Sequence, residues 1–555
     1  MRTWNAIGLN LLRARLGAMS FVLVLVPPLF CQSENDSGNF VTHSLTGTVI
    51  NEVTGEPVRR AMVQAAPTNS SQLRSVLTDS EGRFEFSGMP ESDITVLAHK
   101  PGFFSDPDLN PSGFQPDVVH LAHDGASVTL KLVPEAVVAG HVATLKGDPI
   151  EDTPVRIFRE VITNGYRHWE PKAQATSEED GQFRIAGLAP GRYVLAAGPN
   201  VPSVRATRSL GVRKEGFGNM FYPGVPEMEA ATPFVLSGGQ QVTADFAIKL
   251  EPMFQVAGTV AGSPAGAGVG LQFATKSGEV IPTPIDVDLQ TGKFHGSIPG
   301  GSYILQARGS DSAGRLSTSD LPLLVSSDLD GIILILGTSI NIPVSVEVRP
   351  SSSSAEGLVT GNFSPGREIA ASAVRLISTD ARIDNVEYQA EKNNDGTLAF
   401  HNLLPGRYSL DVSTMAPWYV RSATSGTIDL LREDVVIGSG RRLDPMQIVV
   451  RDDSARLKGN ILADGQSRSG WVLVCADQQL LSQARTTSIP AGSGFEFAGL
   501  APGEYKVLAF DRDTFTTLEF RNSEVMASYL SRATTVTLHA GEEATINIER
   551  QGIDK

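Results

Sequence analysis

One phrase, written five times in changed words, constrains this chain more than any other feature. It reads GRFEFSGMPESDITVLA from Gly82, GQFRIAGLAPGRYVLAA from Gly181, GKFHGSIPGGSYILQA from Gly292, GTLAFHNLLPGRYSLDV from Gly396 and GFEFAGLAPGEYKVLA from Gly494. Successive copies begin 98 to 111 residues apart, too long a period for a solenoid repeat and the size of a small all-β domain. Apolar residues alternate on both sides of the central turn, so each set lines one face of a strand. In the second copy these are Phe183 and Ile185, then Tyr193, Leu195 and Ala197. The same places hold Phe84, Phe86, Ile94, Val96 and Ala98 in the first copy, and Phe495, Phe497, Tyr505, Val507 and Ala509 in the fifth. Read once, such aromatics suggest a binding stripe; read five times, they are core.

Thirty-four to 41 residues before the phrase lies a strand with a central glycine: LTGTVI at Gly47, VAGHVA at Gly140, VAGTVA at Gly258 and LKGNIL at Gly459. In the fourth copy VSVEV, Val344–Val348, stands in its place. After the phrase, two strands around a turn close most copies, as in FVLSGGQQVTADFAIKL and TVTLHAGEEATINIE, and read as a closing hairpin. That makes about seven strands per module, the count of a Greek-key sandwich. Helical patterns are almost absent after residue 40. The expected architecture is all-β, a tandem array of about five sandwiches over 41–134, 135–252, 253–337, 338–454 and 455–555. A signal segment (1–31) and a linker (32–40) precede it. Short connections between modules predict a semi-rigid, elongated rod.

The order G-x-V, T-G-E-P, T-D-x-x-G-R-F and L-x-P-G-x-Y resembles the carboxypeptidase regulatory-like domain, most closely in LTGTVINEVTGEPVRRAMVQ and LTDSEGRFEFSGMP. The second and fifth copies match well, the third and fourth in part. The resemblance implies a transthyretin-like sandwich, a fold also classed with carbohydrate-binding-like folds, in a tandem-repeat secreted bacterial protein. Related modules place a glutamate after the final strand motif for an isopeptide crosslink. Here Ala98, Ala197, Ala307, Val412 and Ala509 hold that place, which argues against such crosslinks.

Compartment is read from the N-terminus. Arg2, Arg13 and Arg15 precede the apolar run Gly17–Phe30, which is shorter than the roughly 20 residues a spanning helix needs and is broken by Pro27 and Pro28. This is the pattern of a secretory signal, so a secreted, periplasmic or envelope-associated bacterial protein is expected. Membrane attachment would come only through lipidation at Cys31 or an uncleaved signal segment. The formal charge of −15, without a basic cluster beyond the N-terminus, excludes nucleic acid as a partner. Only Cys31 and Cys475 are present, so no disulfide framework supports the modules. Cys475, in WVLVCAD, reads as a buried small hydrophobe.

Motifs for chemistry are few. His539-Ala540-Gly541-Glu542 has the H-x-x-E spacing of zinc peptidases but falls in a closing turn, and is read as that turn. His120 and His123, three apart on a strand, face opposite sides. The pairs Asp106/Asp108, Asp286/Asp288, Asp328/Asp330 and Asp511/Asp513 offer the hard oxygens of a calcium site, yet isolated pairs on an acidic chain read as solvated loops. No catalytic residue, metal site or cofactor is therefore assigned. The remaining candidates are aromatics outside the repeated phrase: Tyr166, Trp169, Tyr222, Trp418 and Tyr419. They either stack on sugar rings or seal contacts between domains. Three readings follow. The chain is a non-catalytic envelope or extracellular protein whose modules serve as spacers and binding surfaces, or a glycan-binding protein, or an accessory of a peptidase or outer-membrane transport system. Its partners are then envelope or extracellular proteins or glycans.

Overall fold

The computed structural model describes residues 43–551 except 69–71, 106–116, 123–124, 200–214, 263–267, 277, 311–315, 339, 352–372, 380–386, 439–442, 464–465, 477–480, 482 and 491. The expected signal segment, Cys31, His123 and the pair Asp106/Asp108 lie outside the described residues. The fold is all-β. Among the described residues five apolar cores follow one another along the chain; strands of two sheets enclose each of the first four, and in the fifth the strands join into one eight-stranded sheet that folds round the core.

Module 2 shows the plan. Its first strand, Ala136–Thr144, pairs antiparallel with Gln182–Leu188 and parallel with Gln241–Thr243 and Phe246–Ile248. The facing sheet runs Tyr166–Thr176, Pro154–Thr163, Gly191–Ala197, Met220–Phe221. The repeated phrase is therefore split between sheets: its first strand belongs to one and its second to the other. The turn between them arches over the core edge. The closing pair behaves alike, which corrects the hairpin reading. In module 1, Asp117–Leu121 pairs with Ser92–His99, while Ala126–Pro134 pairs parallel with His43–Asn51. Alternation fixes which face of a strand is apolar, but does not say which sheet the strand joins.

The tyrosine of the phrase braces the arch. Tyr193 donates its hydroxyl to the Ala189 carbonyl at 2.7 Å, Tyr408 to Leu404 at 3.0 Å and Tyr505 to Ala501 at 2.8 Å. Each ring is buried, so the carbonyl four residues upstream meets a polar group that would otherwise be stranded. Tyr193→Phe should lower the stability of module 2 by about 1 kcal/mol, read as a shifted urea midpoint with unchanged slope.

The first-strand glycine sits directly opposite the first aromatic of the phrase. The register pairs Gly47 with Phe84, Gly140 with Phe183, Gly258 with Phe294 and Gly459 with Phe495. A Cβ on these glycines would lie 2.2, 2.0, 2.1 and 1.9 Å from the backbone oxygens of Val128, Ala244, Ile332 and Ile546 on the parallel neighbour. In module 4 the opposed pair is Val344 and Leu398, where a larger residue on one strand accompanies a smaller one on the other.

Module 5 carries two short helices that the sequence pattern did not suggest, Arg512–Thr516 and Ser523–Leu530. Asp511 caps the first by accepting from the Thr514 amide at 2.8 Å, and Asn522 caps the second. They cover the outer face of the sheet, burying Leu473, Cys475, Leu508 and Phe510 beneath Phe515, Phe520 and Met526. Cys475 is 1% exposed. Among the described residues no helix is long and apolar enough to cross a membrane.

This helical insert also meets module 2, which corrects the expectation of a rod. The Phe520 ring lies over the hairpin turn at Gly165, where a Cβ would come within 2.8 Å of it. The Arg521 amide donates to the Gly165 carbonyl at 3.3 Å, and its guanidinium sits 5.5 Å from the Tyr166 ring centre. Glu519 pairs with Arg167 at 2.6 Å. Short connections restrict neighbouring modules only; the return of module 5 onto module 2 comes from side chains far apart in sequence.

Candidate binding cleft between modules 2 and 3

A cleft of about 610 Å³ opens where the outer face of module 2 meets module 3. Its wall is the edge strand Tyr166–Thr176, with Trp169 half-buried against the cluster of Phe158, Val194, Ala196 and Phe221. The covered outer face follows from local sequence. In PVRIF, Val155 and Ile157 point into the core, so Arg156 and Phe158 point outward, and an outward phenylalanine needs a cover. That cover is Phe221, Met228 and Trp169. The rim carries exposed Arg167, Lys172, Gln174 and Glu229.

The floor is an ion pair. Arg156, from module 2, meets the Glu279 carboxylate of module 3 at 2.6 Å, with side chains only 11% and 5% exposed. Arg156 also donates to the carbonyls of Val280 at 3.0 Å and Gly198 at 2.8 Å, and to the Asn219 side-chain oxygen. Arg156 Nε and both Glu279 oxygens lack a well-aligned hydrogen bond among the described residues. Burial pushes Glu279 up to about 7, outweighing the pull of Arg156, while Glu227 and Glu229 raise it further. Burial also lowers Arg156 below the usual guanidinium range.

A carboxyl whose folded value exceeds its unfolded 4.5 takes up a proton on folding between those values. Its contribution is most favourable below about 4.5 and is lost as pH rises through about 7. Glu279→Gln should therefore flatten the fall in melting temperature of the full chain between these values, measured by calorimetry in matched buffers.

The sequence candidates separate here. Trp169 lines the cleft. Tyr166, on the same strand, lies under Arg521 at the contact with module 5. Tyr222 is edge-on to Phe234 and Phe246, ring centres 6.5 and 6.0 Å away, and packs partly buried against the core of module 2. Tyr419 is 4% exposed, its hydroxyl 3.2 Å from Asp453. Trp418 packs on the core of module 4, its carbonyl close to Gly499 of module 5. Tyr419 thus offers no face to a ligand, Tyr222 is partly buried against the core, and the five aromatics do not converge.

The other motifs resolve into turns. The Glu542 carboxylate accepts from the His539 amide of its own turn at 2.7 Å. Asp288 accepts from the amides of Gln290 and Thr291, Asp328 from that of Gln255, and Asp511 caps a helix. His120 pairs with Asp93 at 2.8 Å on the exposed surface. Among the described residues no three His, Cys, Asp or Glu side chains converge to hold a metal. Arg156, Met228, Glu229 and Glu279 escaped the sequence reading. Outward Phe158 was their one local sign.

Residues 44–108 match the family model of the carboxypeptidase regulatory-like domain. No curated protein sequence matches the chain. Among solved structures, the TIE protein of Bacillus anthracis is 13% identical over 54% of this chain and 51% of its own, with a TM-score of 0.17. The minor pilin GBS52 of Streptococcus agalactiae is 14% identical over 38% of this chain and 97% of its own, at 0.21. The shaft pilin SpaA of Lactobacillus rhamnosus GG is 12% identical over 38% and 98%, at 0.19. The chain thus spans about half the length of the first of these.

Proposed function

We propose that this is a non-catalytic protein of the bacterial exterior or cell envelope, with its sandwiches as framework and the cleft between modules 2 and 3 as its binding surface. The observation that carries the reading is the cleft itself, an indole wall above a buried interdomain ion pair. The repeated motifs, by contrast, are consumed by structure. Their aromatics are core, their tyrosines brace arches, and their glycines admit a neighbouring strand. The positively charged, apolar N-terminus supports export, and glycans or envelope proteins are the partner classes.

Two assays test this. In cells producing the full chain, an antibody to module 5 should label intact or outer-membrane-permeabilised cells. Confinement to the cytoplasmic fraction would refute the compartment. Purified protein should turn over no fluorogenic peptide, ester or glycoside; turnover abolished by one point substitution would refute the non-catalytic reading.

A further inference from the structure

Resting on that reading, we propose that the cleft between modules 2 and 3 takes a neutral oligosaccharide, with one ring stacked on Trp169. Three observations select this ligand class. First, the wall supplies a partly exposed indole beside Met228, a flat apolar surface suited to the C–H face of a sugar ring. Second, the rim mixes charges. Lys172 donates, Glu229 accepts and Gln174 does both, while Arg167 is already paired with Glu160 and Glu519. The Arg156–Glu279 pair closes the floor, so a strongly anionic ligand would meet Glu229 and a strongly cationic one Lys172. A polyol, with donors and acceptors on every carbon, satisfies both kinds of group without burying a net charge.

Third, the obvious rival is blunted. The wall is an edge strand, and an extended peptide could add to it as a further strand. Yet Pro171 removes an amide in its middle, and the pairing slips there, Pro171 opposing Phe158 and Ala173 opposing Ile157. Proline and a bulge are how natural sheets protect an edge from strand addition. The volume, about 610 Å³, falls within the range of small-ligand sites.

The test is calorimetric titration of the full chain with cellohexaose, maltohexaose, xylohexaose, mannohexaose and N-acetylchitohexaose, alongside tri-galacturonate and a pool of random decapeptides. At least one neutral sugar should bind saturably. Trp169→Ala should weaken it at least about tenfold, and Trp169→Phe less, whereas Trp418→Ala should leave it unchanged. Affinity should hold between about 0.05 and about 0.5 M salt, since a neutral ligand gains little from screened charges. Binding by none of the neutral sugars, binding indifferent to both Trp169 variants, or preference for the acidic sugar or the peptides would each overturn the proposal. Trp169→Phe keeps the test readable should the alanine variant fold poorly. None of these outcomes touches the compartment or turnover assays, so the two readings fail separately.

Discussion

Gly459→Val is expected to unfold module 5. The substituted Cβ would sit 1.9 Å from the Ile546 carbonyl and 2.6 Å from the Phe495 ring, and a backbone oxygen held in a parallel ladder cannot turn aside as a side chain can. Either the first and last strands part or the ring leaves the core. Overpacking alone commonly costs about 1–3 kcal/mol. With the ladder broken as well, the loss should exceed about 4 kcal/mol, against a whole-domain stability of about 5–15 kcal/mol. Trp471 reports on it. Its ring is stacked on Phe515 at 4.5 Å, and its emission should shift red in the variant at urea concentrations where the parent is native. Phe495→Leu, which imitates the pairing of Val344 with Leu398 in module 4, should rescue only part of the loss, because the carbonyl contact remains. A variant as stable as the parent would show that the strand spacing is not set by the glycine.

Arg156→Ala is the second large effect. It leaves Glu279 buried without its cation and strips donors from Val280, Gly198 and Asn219. Removing one partner of a buried pair costs about 3–5 kcal/mol, whereas replacing both with leucine is often nearly neutral because two desolvation costs disappear together. The expected order of melting temperatures is parent, then Arg156→Leu/Glu279→Leu close to it, then Arg156→Ala well below. The single variant should recover as pH falls from above neutrality, because Glu279, freed from the pull of Arg156, holds its proton to higher pH than in the parent and its burial then becomes tolerable. Equal losses in the single and double variants would place the energy in packing rather than charge.

Much of the fold was legible because the informative residues are local and repeated. Alternation identified the core faces, the turns marked strand ends, and the glycine upstream of four of the five phrases proved to face its aromatic across one ladder. Sheet membership was not legible, since arch and hairpin present the same alternation. The helices of module 5 left only their caps, Asp511 and Asn522, as signals, too little to outweigh the surrounding strand pattern. At the site, Trp169 could be found as an aromatic outside the repeat. Arg156 and Glu279 could not, because their pairing depends on how two modules meet. The return of module 5 was hidden for the same reason. Gly165 and Phe520 are far apart in sequence, and neither announces a partner.

The docking of module 5 onto module 2 is tested most directly by a spin-label distance between these two modules. Labels at cysteines replacing exposed Glu170 and Ser528, with Cys31 changed to serine and Cys475 left in its core, would give one narrow, short distance, within the span of a single module. Phe520→Ala should broaden it. A broad distribution centred several module lengths away in the parent protein would contradict the docking and return the array to an extended rod.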